Sequence, residues 1–409
     1  MDRSACALLR QIYCGRPLTR RDLAARTGLS VPRVSAHVAQ MVQLGWVTEE
    51  PSQGGLGRPA CLLSPASHLA RAVGLDLGNG QCQAVLLDAA GQVLASETRL
   101  APGAPASCRT MIDDVPDLVR SVCSQVGQDP AGLAAVGIGL PGIVDAQSGM
   151  VLAWPNTPDQ GAWLGTNVRD ALANRLHPAL VVLEDFVRAM ALAAYRFGPA
   201  RGKAHVLYAY LGDSIGSALV IDGQLYRGET GIVGEIGHIS VDRSGPPCRC
   251  GNNGCLEIMA STPAVLRRVE QRLRHATVES MLRGPVESGA LTLSTLLQAA
   301  QAGDKLAYQV LDETGAMIGL VLATAVNLFG PGQVVLGGPL AQSGGILLEA
   351  ALRQIRLEAL QYISRQIQLV CEDSDALAGA RGAAVRALDT IFASDERLQA
   401  LLAQRHRSA

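Results

Sequence analysis

His238, Cys248, Cys250 and Cys255 fall in one short run: Gly237-His238, then Cys248-Arg249-Cys250-Gly251-Asn252-Asn253-Gly254-Cys255-Leu256-Glu257. One imidazole and three thiols are the donors that a tetrahedral Zn2+ takes in a structural Cys3His site. Pro246 and Pro247 stiffen the approach, and Gly251 and Gly254 let the backbone fold tightly enough to aim Cys250 and Cys255 at one point. Three cysteines that merely neighbour one another, or a disulfide with an odd thiol, are the competing readings. The C-x-C-G-x-x-G-C order behind a histidine favours zinc. Such a metal fastens a loop and by itself names no activity.

The elements that must position this run belong to a chain of 409 residues, enough for two or three domains, and its 48% hydrophobic content supports sizeable cores. The stretch from Met1 to Gln11 carries charge at helical spacing and lacks a signal-peptide pattern. No uninterrupted apolar run reaches membrane-span length, which argues against a membrane partner. Ala316 to Phe329, broken by Gly319, Thr324 and Asn327, reads as a buried helix. Cys6, Cys14, Cys61, Cys82, Cys108, Cys123 and Cys371 show no disulfide framework, so a reducing, cytoplasmic setting is expected. Net charge is −1, but residues 1–70 hold eight arginines against four carboxylates, a balance of +4 that leaves −5 for the rest. A small basic front on an acidic body is the pattern of a chain whose front alone meets a polyanion.

Thr19-Arg20-Arg21-Asp22 predicts a capping box, and Gly28 stops the helix it opens. Ser30 is an N-cap candidate for a second helix, with Pro32 in its first turn. Val31, Val34, Val38, Met41 and Val42 recur at helical spacing and are expected to face the core, leaving Pro32, Arg33, Ala36, His37 and Gln40 outward. Gly45-Trp46-Val47 leads into a strand, Pro51 to Gly57 forms a glycine-rich tip, and Ala60 to Leu63 returns. Helix, turn, helix and a two-stranded wing make a winged helix-turn-helix over residues 1–66, whose second helix enters the DNA major groove N-terminus first. Ser30, Pro32, Arg33, Ser35, His37, Gly57 and Arg58 are the candidate DNA-contacting residues, with double-stranded DNA as partner. A protein-interaction module with a solvated arginine face is the competing reading.

From Ala72 the pattern becomes strands that meet glycine turns: Val73 to Gly78, Val136 to Gly142, Val206 to Gly212 and Gln333 to Gly338, mixed with long helices. The similar openings near residues 73 and 206 point to a duplicated α/β core. Together with Gly234-Glu235-Ile236-Gly237-His238 through Glu257, Gly139-Leu140-Pro141-Gly142, Trp154-Pro155-Asn156 and Asp222 to Gly228, these residues resemble the ROK family of repressors and sugar kinases. The resemblance implies two actin-like, ribonuclease-H-like lobes, over residues 72–190 plus 371–409 and 191–370. It implies sugar contacts from Glu235, His238 and Glu257, with His238 also on the metal, although Glu235 and Glu257 read equally as partners of the metal ligands. It further implies a homodimer or tetramer on an inverted-repeat operator, with a sugar or sugar derivative as effector.

Kinase members of the family keep a Glu-Asn-Asp stretch whose aspartate takes the proton from the attacking sugar hydroxyl. Aligned on the following helix, this chain has Glu184-Asp185-Phe186, so phenylalanine stands at the base and Asp185 at the asparagine. A one-residue slip would make Asp185 the base but misalign the helix. The family's Asp-x-Gly-Gly-Thr loop has become Asp76-Leu77-Gly78-Asn79-Gly80-Gln81, and its Gly-Thr-Gly-x-Gly loop Gly212-Asp213-Ser214-Ile215-Gly216. A carboxylate at Asp213 repels phosphate. The sequence therefore predicts a body without kinase activity, with Asp185, Glu235, His238 and Glu257 as the candidate effector contacts and no catalytic residue.

Overall fold

The computed structural model describes residues 3–14, 18–51, 61–78, 81–100, 108–153, 164–275, 279–343 and 345–408. The chain divides into two compact units, Met1–Ala193 with Leu377–Ala409, and Ala194–Ala376. The basic N-terminal module therefore belongs to the same unit as the first sheet.

That module opens with α1 (Arg3–Cys14), which buries Leu8, Leu9 and Ile12. In front of α2 (Arg20–Thr27) the capping box forms as expected: Asp22 N–H donates to the Thr19 hydroxyl at 3.2 Å, and Thr19 N–H donates to the Asp22 carboxylate at 2.8 Å. Gly28, at φ 70°, turns the chain off that helix. The second helix, α3 (Val31–Gln43), buries Val34, Val38 and Met41. Strands β1 (Val47–Pro51) and β2 (Cys61–Pro65) pair antiparallel as the wing. Its tip, including Gly57 and Arg58, lies outside the described residues. Two expectations need correction. Val31 is 48% exposed and Val42 only half-buried, so the buried stripe of α3 narrows to Val34, Val38 and Met41. Ser30 occupies the N-cap, but its hydroxyl makes no capping hydrogen bond.

The body repeats one sheet twice. In the first unit β3 (Arg71–Asp76), β4 (Gln81–Asp88), β5 (Val93–Leu100), β6 (Ala135–Leu140) and β9 (Leu180–Asp185) lie in the order β5-β4-β3-β6-β9, while β7 (Ile143–Asp145) and β8 (Met150–Ala153) form a small ribbon. In the second unit β10 (His205–Leu211), β11 (Ile215–Ile221), β12 (Gln224–Leu225), β13 (Gln333–Gly337) and β14 (Gln368–Cys371) lie in the order β12-β11-β10-β13-β14. Each sheet is an antiparallel meander extended by two strands parallel to its first. The duplication inferred from the glycine turns is therefore present in the topology. The helix Lys305–Phe329 is long and apolar enough to cross a membrane. It instead contributes Ile318, Val321 and Leu322 to the core of the second unit.

The helix Ala378–Ala393 lies directly on the first sheet. A Cβ on Gly74 would stand 1.9 Å from the Ala380 carbonyl oxygen, and one on Gly137 would stand 2.0 Å from that of Ala383. Glycine is required where backbone meets backbone this closely. At its far end Phe392 stacks on Tyr13 of α1, with ring centroids 3.9 Å apart. Arg10 adds bonds to the Phe392 carbonyl at 2.7 Å and to Asp395 at 2.6 Å. The connecting segment is tied down as well: Asp88 is buried and accepts from the Ser67 hydroxyl, and Arg405 donates to the Leu69 carbonyl at 3.2 Å.

Candidate functional site

His238, Cys248, Cys250 and Cys255 converge, with all four donor atoms within 4.8 Å of one another. Cys248 Sγ lies 3.7 Å from His238 Nδ1, and Cys250 Sγ 3.5 Å from Cys255 Sγ. A tetrahedral metal with bonds of about 2.0–2.3 Å spaces its ligands by about 3.3–3.8 Å, and these two pairs fall within that spacing. The backbone makes the cage. Cys248 N–H bonds the Asn252 carbonyl at 2.7 Å, and Gly254, at φ 56°, sits where a Cβ would meet the Asp242 carbonyl oxygen at 1.7 Å. A hydrogen bond from the Asn252 backbone lowers the Cys250 thiol pKa, whereas burial, with hydrogen bonds from the Cys255 thiol to Cys250 and Cys248, pushes Cys255 up to about 12. A cation at the centre is what would hold the buried Cys255 sulfur as thiolate.

The knuckle is coupled to its neighbours through Glu257. Its Oε2 accepts the Ile215 backbone N–H at 3.0 Å, which ties the helix after Cys255 to the glycine loop before β11. One carboxylate oxygen is thus engaged with backbone, a role the sequence motif alone did not reveal. Glu235 is exposed and His238 half-buried in the same unit. Asp213 of the loop is exposed.

In the first unit β9 ends at Asp185, and the helix Phe186–Phe197 follows at once. Asp185 is half-buried, and its Oδ1 accepts the Arg188 N–H at 3.0 Å, capping that helix. Phe186, only 6% exposed, packs beside Gly139. Beneath them lies a group that sequence reading missed: Glu184, 1% exposed, accepts from Arg386 Nε at 3.1 Å and pairs with the buried Arg188 at 3.7 Å. Its partner Arg386 lies far away in the chain, so no local motif could have announced it.

Asp76 ends β3 in the remnant of the first phosphate loop. It is buried under Gly379, where a Cβ would stand 2.0 Å from its Oδ2. Burial pushes its pKa up to about 6, and the Gly78 N–H at 3.0 Å offsets only part of that. Asn79 and Gly80 of the same loop, and Trp154-Pro155-Asn156, lie outside the described residues.

On α3 the candidate DNA contacts Ser30, Pro32 and Arg33 are exposed, while Ser35 and His37 are half-buried. The Arg33 guanidinium donates to the Ser4 hydroxyl at 3.1 Å.

A winged helix ahead of two copies of one five-stranded sheet, the second carrying a Cys3His knuckle, defines the class: a kinase-like body with a DNA-binding type of N-terminal module. The ROK family profile matches residues 72–390, and the MarR family profile matches residues 1–55. The chain belongs to the ROK family. It is 28% identical over 373 residues to the DNA-binding transcriptional dual regulator NagC of Escherichia coli K12, covering 91% of this chain and 89% of NagC. It is 32% identical over 280 residues to the glucokinase of Thermotoga maritima, covering 67% of this chain and 84% of that enzyme. A crystal structure of a ROK family transcriptional regulator, a homologue of E. coli Mlc, superposes with a TM-score of 0.77 over 98% of this chain and 97% of its own, at 24% identity, and shows the same fold.

The buried Asp76 gives the protein a measurable pH signature. Its pKa of about 6 in the fold stands above the unfolded value, so its proton is bound more tightly in the native state. Its contribution is complete below about pH 4 and is lost as pH rises through about 6, a change of up to roughly 3 kcal/mol. Asp76→Asn should abolish that loss. Urea unfolding of both proteins between pH 4 and 7 is expected to show the variant gaining on wild type across this window.

Proposed function

We propose that the protein is a sequence-specific DNA-binding transcriptional repressor of carbohydrate-related genes, with a kinase-like body that performs no phosphoryl transfer. The carrying observation is the buried Phe186 at the head of its helix, in the position where the family resemblance puts the proton acceptor. A phenyl ring accepts no proton, and removal of a general base costs orders of magnitude in rate. Asp185 stands one residue ahead of that position, where its Oδ1 caps the same helix. Asp213 adds a negative charge to the loop that would face nucleotide phosphates. The glucokinase relative supports the ancestry of the body, and the NagC relative supports its use in regulation.

The winged helix is the DNA-binding element in this reading, with Ser30, Pro32, Arg33, Ser35 and His37 on α3 and Gly57 and Arg58 at the wing as the contacting residues. A cytoplasmic homodimer or tetramer would set two such helices on an inverted repeat. Glu235, His238, Glu257 and Asp185 are the proposed effector contacts, and the effector is a sugar or sugar derivative. That ligand changes DNA affinity only if it prefers one arrangement of the body over another. Zn2+ is the proposed metal on His238, Cys248, Cys250 and Cys255, as a brace of the fold: a Cys3His donor set favours it, and a closed set of four leaves no open position for chemistry.

Coupled ATP-consumption assays across hexoses and amino sugars should give no turnover above background; steady turnover with any sugar would overturn the inactive body. Arg33→Ala should weaken binding to the selected operator by about fivefold to a hundredfold, the range of one lost charged contact to a base edge. Unchanged affinity in a gel-shift titration would remove Arg33 from the interface. Cys250→Ser should lower zinc content and melting temperature together. Full zinc retention by elemental analysis would contradict the ligand set.

A further inference from the structure

The first turn of α3 carries an apolar side chain with nothing over it. Among the described residues, Val31 is the one large hydrophobic in the N-terminal module that is exposed, at 48%, while Val34, Val38 and Met41 of the same helix are buried. Periodicity would have spent Val31 on the core. The fold instead holds it out at the N-terminal end of the second helix of a helix-turn-helix, which is the end that meets base edges. Its neighbours suit close approach to DNA: Ser30 keeps a hydroxyl unused by capping, Pro32 has no N–H to satisfy, and Ala36 and Ala39 keep the exposed side of α3 slim. Arg33, also exposed, supplies positive charge within the same turn.

We propose that Val31 is a specificity-determining residue that reads the C5 methyl group of a thymine in the major groove of each operator half-site. Thymine is the base that presents an apolar group there, and apolar side chains recognise it by excluding water from that methyl. An isopropyl group cannot hydrogen-bond a base, so its discrimination must come from this methyl and from shape. The proposal deepens the DNA-binding reading above and rests on it.

The test uses the full-length protein and an operator selected from random duplexes. Each thymine is replaced in turn by deoxyuridine, which deletes the methyl and leaves base pairing intact. Wild type should lose about fourfold in affinity at one thymine per half-site, the worth of one buried methyl-sized group. Val31→Ala, whose single methyl makes a smaller apolar contact, should reduce that penalty. Because Val31 is exposed and alanine is the better helix former, this variant should melt with wild type. Arg33→Ala serves as control: it weakens binding to both sites yet keeps the fourfold ratio. The proposal is overturned if no thymine shows the penalty with wild type, which needs no variant at all. It is equally overturned if Val31→Ala shows the same penalty, or if that variant changes the oligomeric state and leaves the thymine preference intact. Selection that yields no consensus sequence would remove the DNA-binding reading itself, an outcome distinct from the other three.

Discussion

Backbone packed against backbone, with only glycine between, ties the N-terminal module to the first sheet. The helix Ala378–Ala393 comes so close to β3 and β6 that no side chain fits at Gly74 or Gly137, and Gly382 leaves equally little room against Ala189. Van der Waals contacts at this range are numerous and stiff, so the helix can scarcely tilt without lifting from the sheet. Its end carries Phe392, stacked on Tyr13, and the helix Asp395–Ser408 returns past the connecting segment to hold the Leu69 carbonyl through Arg405. The N-terminal module therefore sits on the sheet's own supporting helix and is no loose appendage on a linker.

The same helix organises the buried charges. Gly379 roofs Asp76, and Arg386 reaches Glu184 beneath the start of the Phe186 helix. A buried carboxylate survives only with partners or a proton. Glu184 has two arginines, whereas Asp76 has one backbone N–H and a raised pKa. A network of this kind fixes the geometry of the loop around Asp185 and Phe186 whether or not chemistry takes place there. The acidic residues of these loops thus have a structural role of their own.

The second unit shows how a binding loop can be held without a large core of its own. The knuckle from His238 to Cys255 is mostly exposed and short of apolar side chains, so backbone hydrogen bonds, with four donors placed where they could share a metal, stand in for packing. Glu257 then links it to the Ile215 loop, so a disturbance of the knuckle is felt one strand away. A carboxylate in such a motif can thus also serve the fold: here one of the two Glu257 oxygens accepts a backbone N–H.

Much of this was legible in the chain. The thiol and imidazole spacing foretold the convergence of four ligands, Thr19 and Asp22 foretold their capping box, and the recurrent strand–glycine turns foretold a repeated sheet, because each signal is local and written in residue type. The exposure of Val31, the capping by Asp185, the pairing of Glu184 with Arg386 and the roof over Asp76 were not legible. Helical periodicity assigns a face to Val31 but cannot say where the neighbouring helices stop, and a motif names a carboxylate without naming what approaches it. The sequence by itself determined the donor set, the secondary-structure rhythm and the phenylalanine that follows Asp185. Only the tertiary structure decided which of those groups are buried, which are already satisfied and which stay exposed, because those properties depend on contacts between residues far apart in the chain.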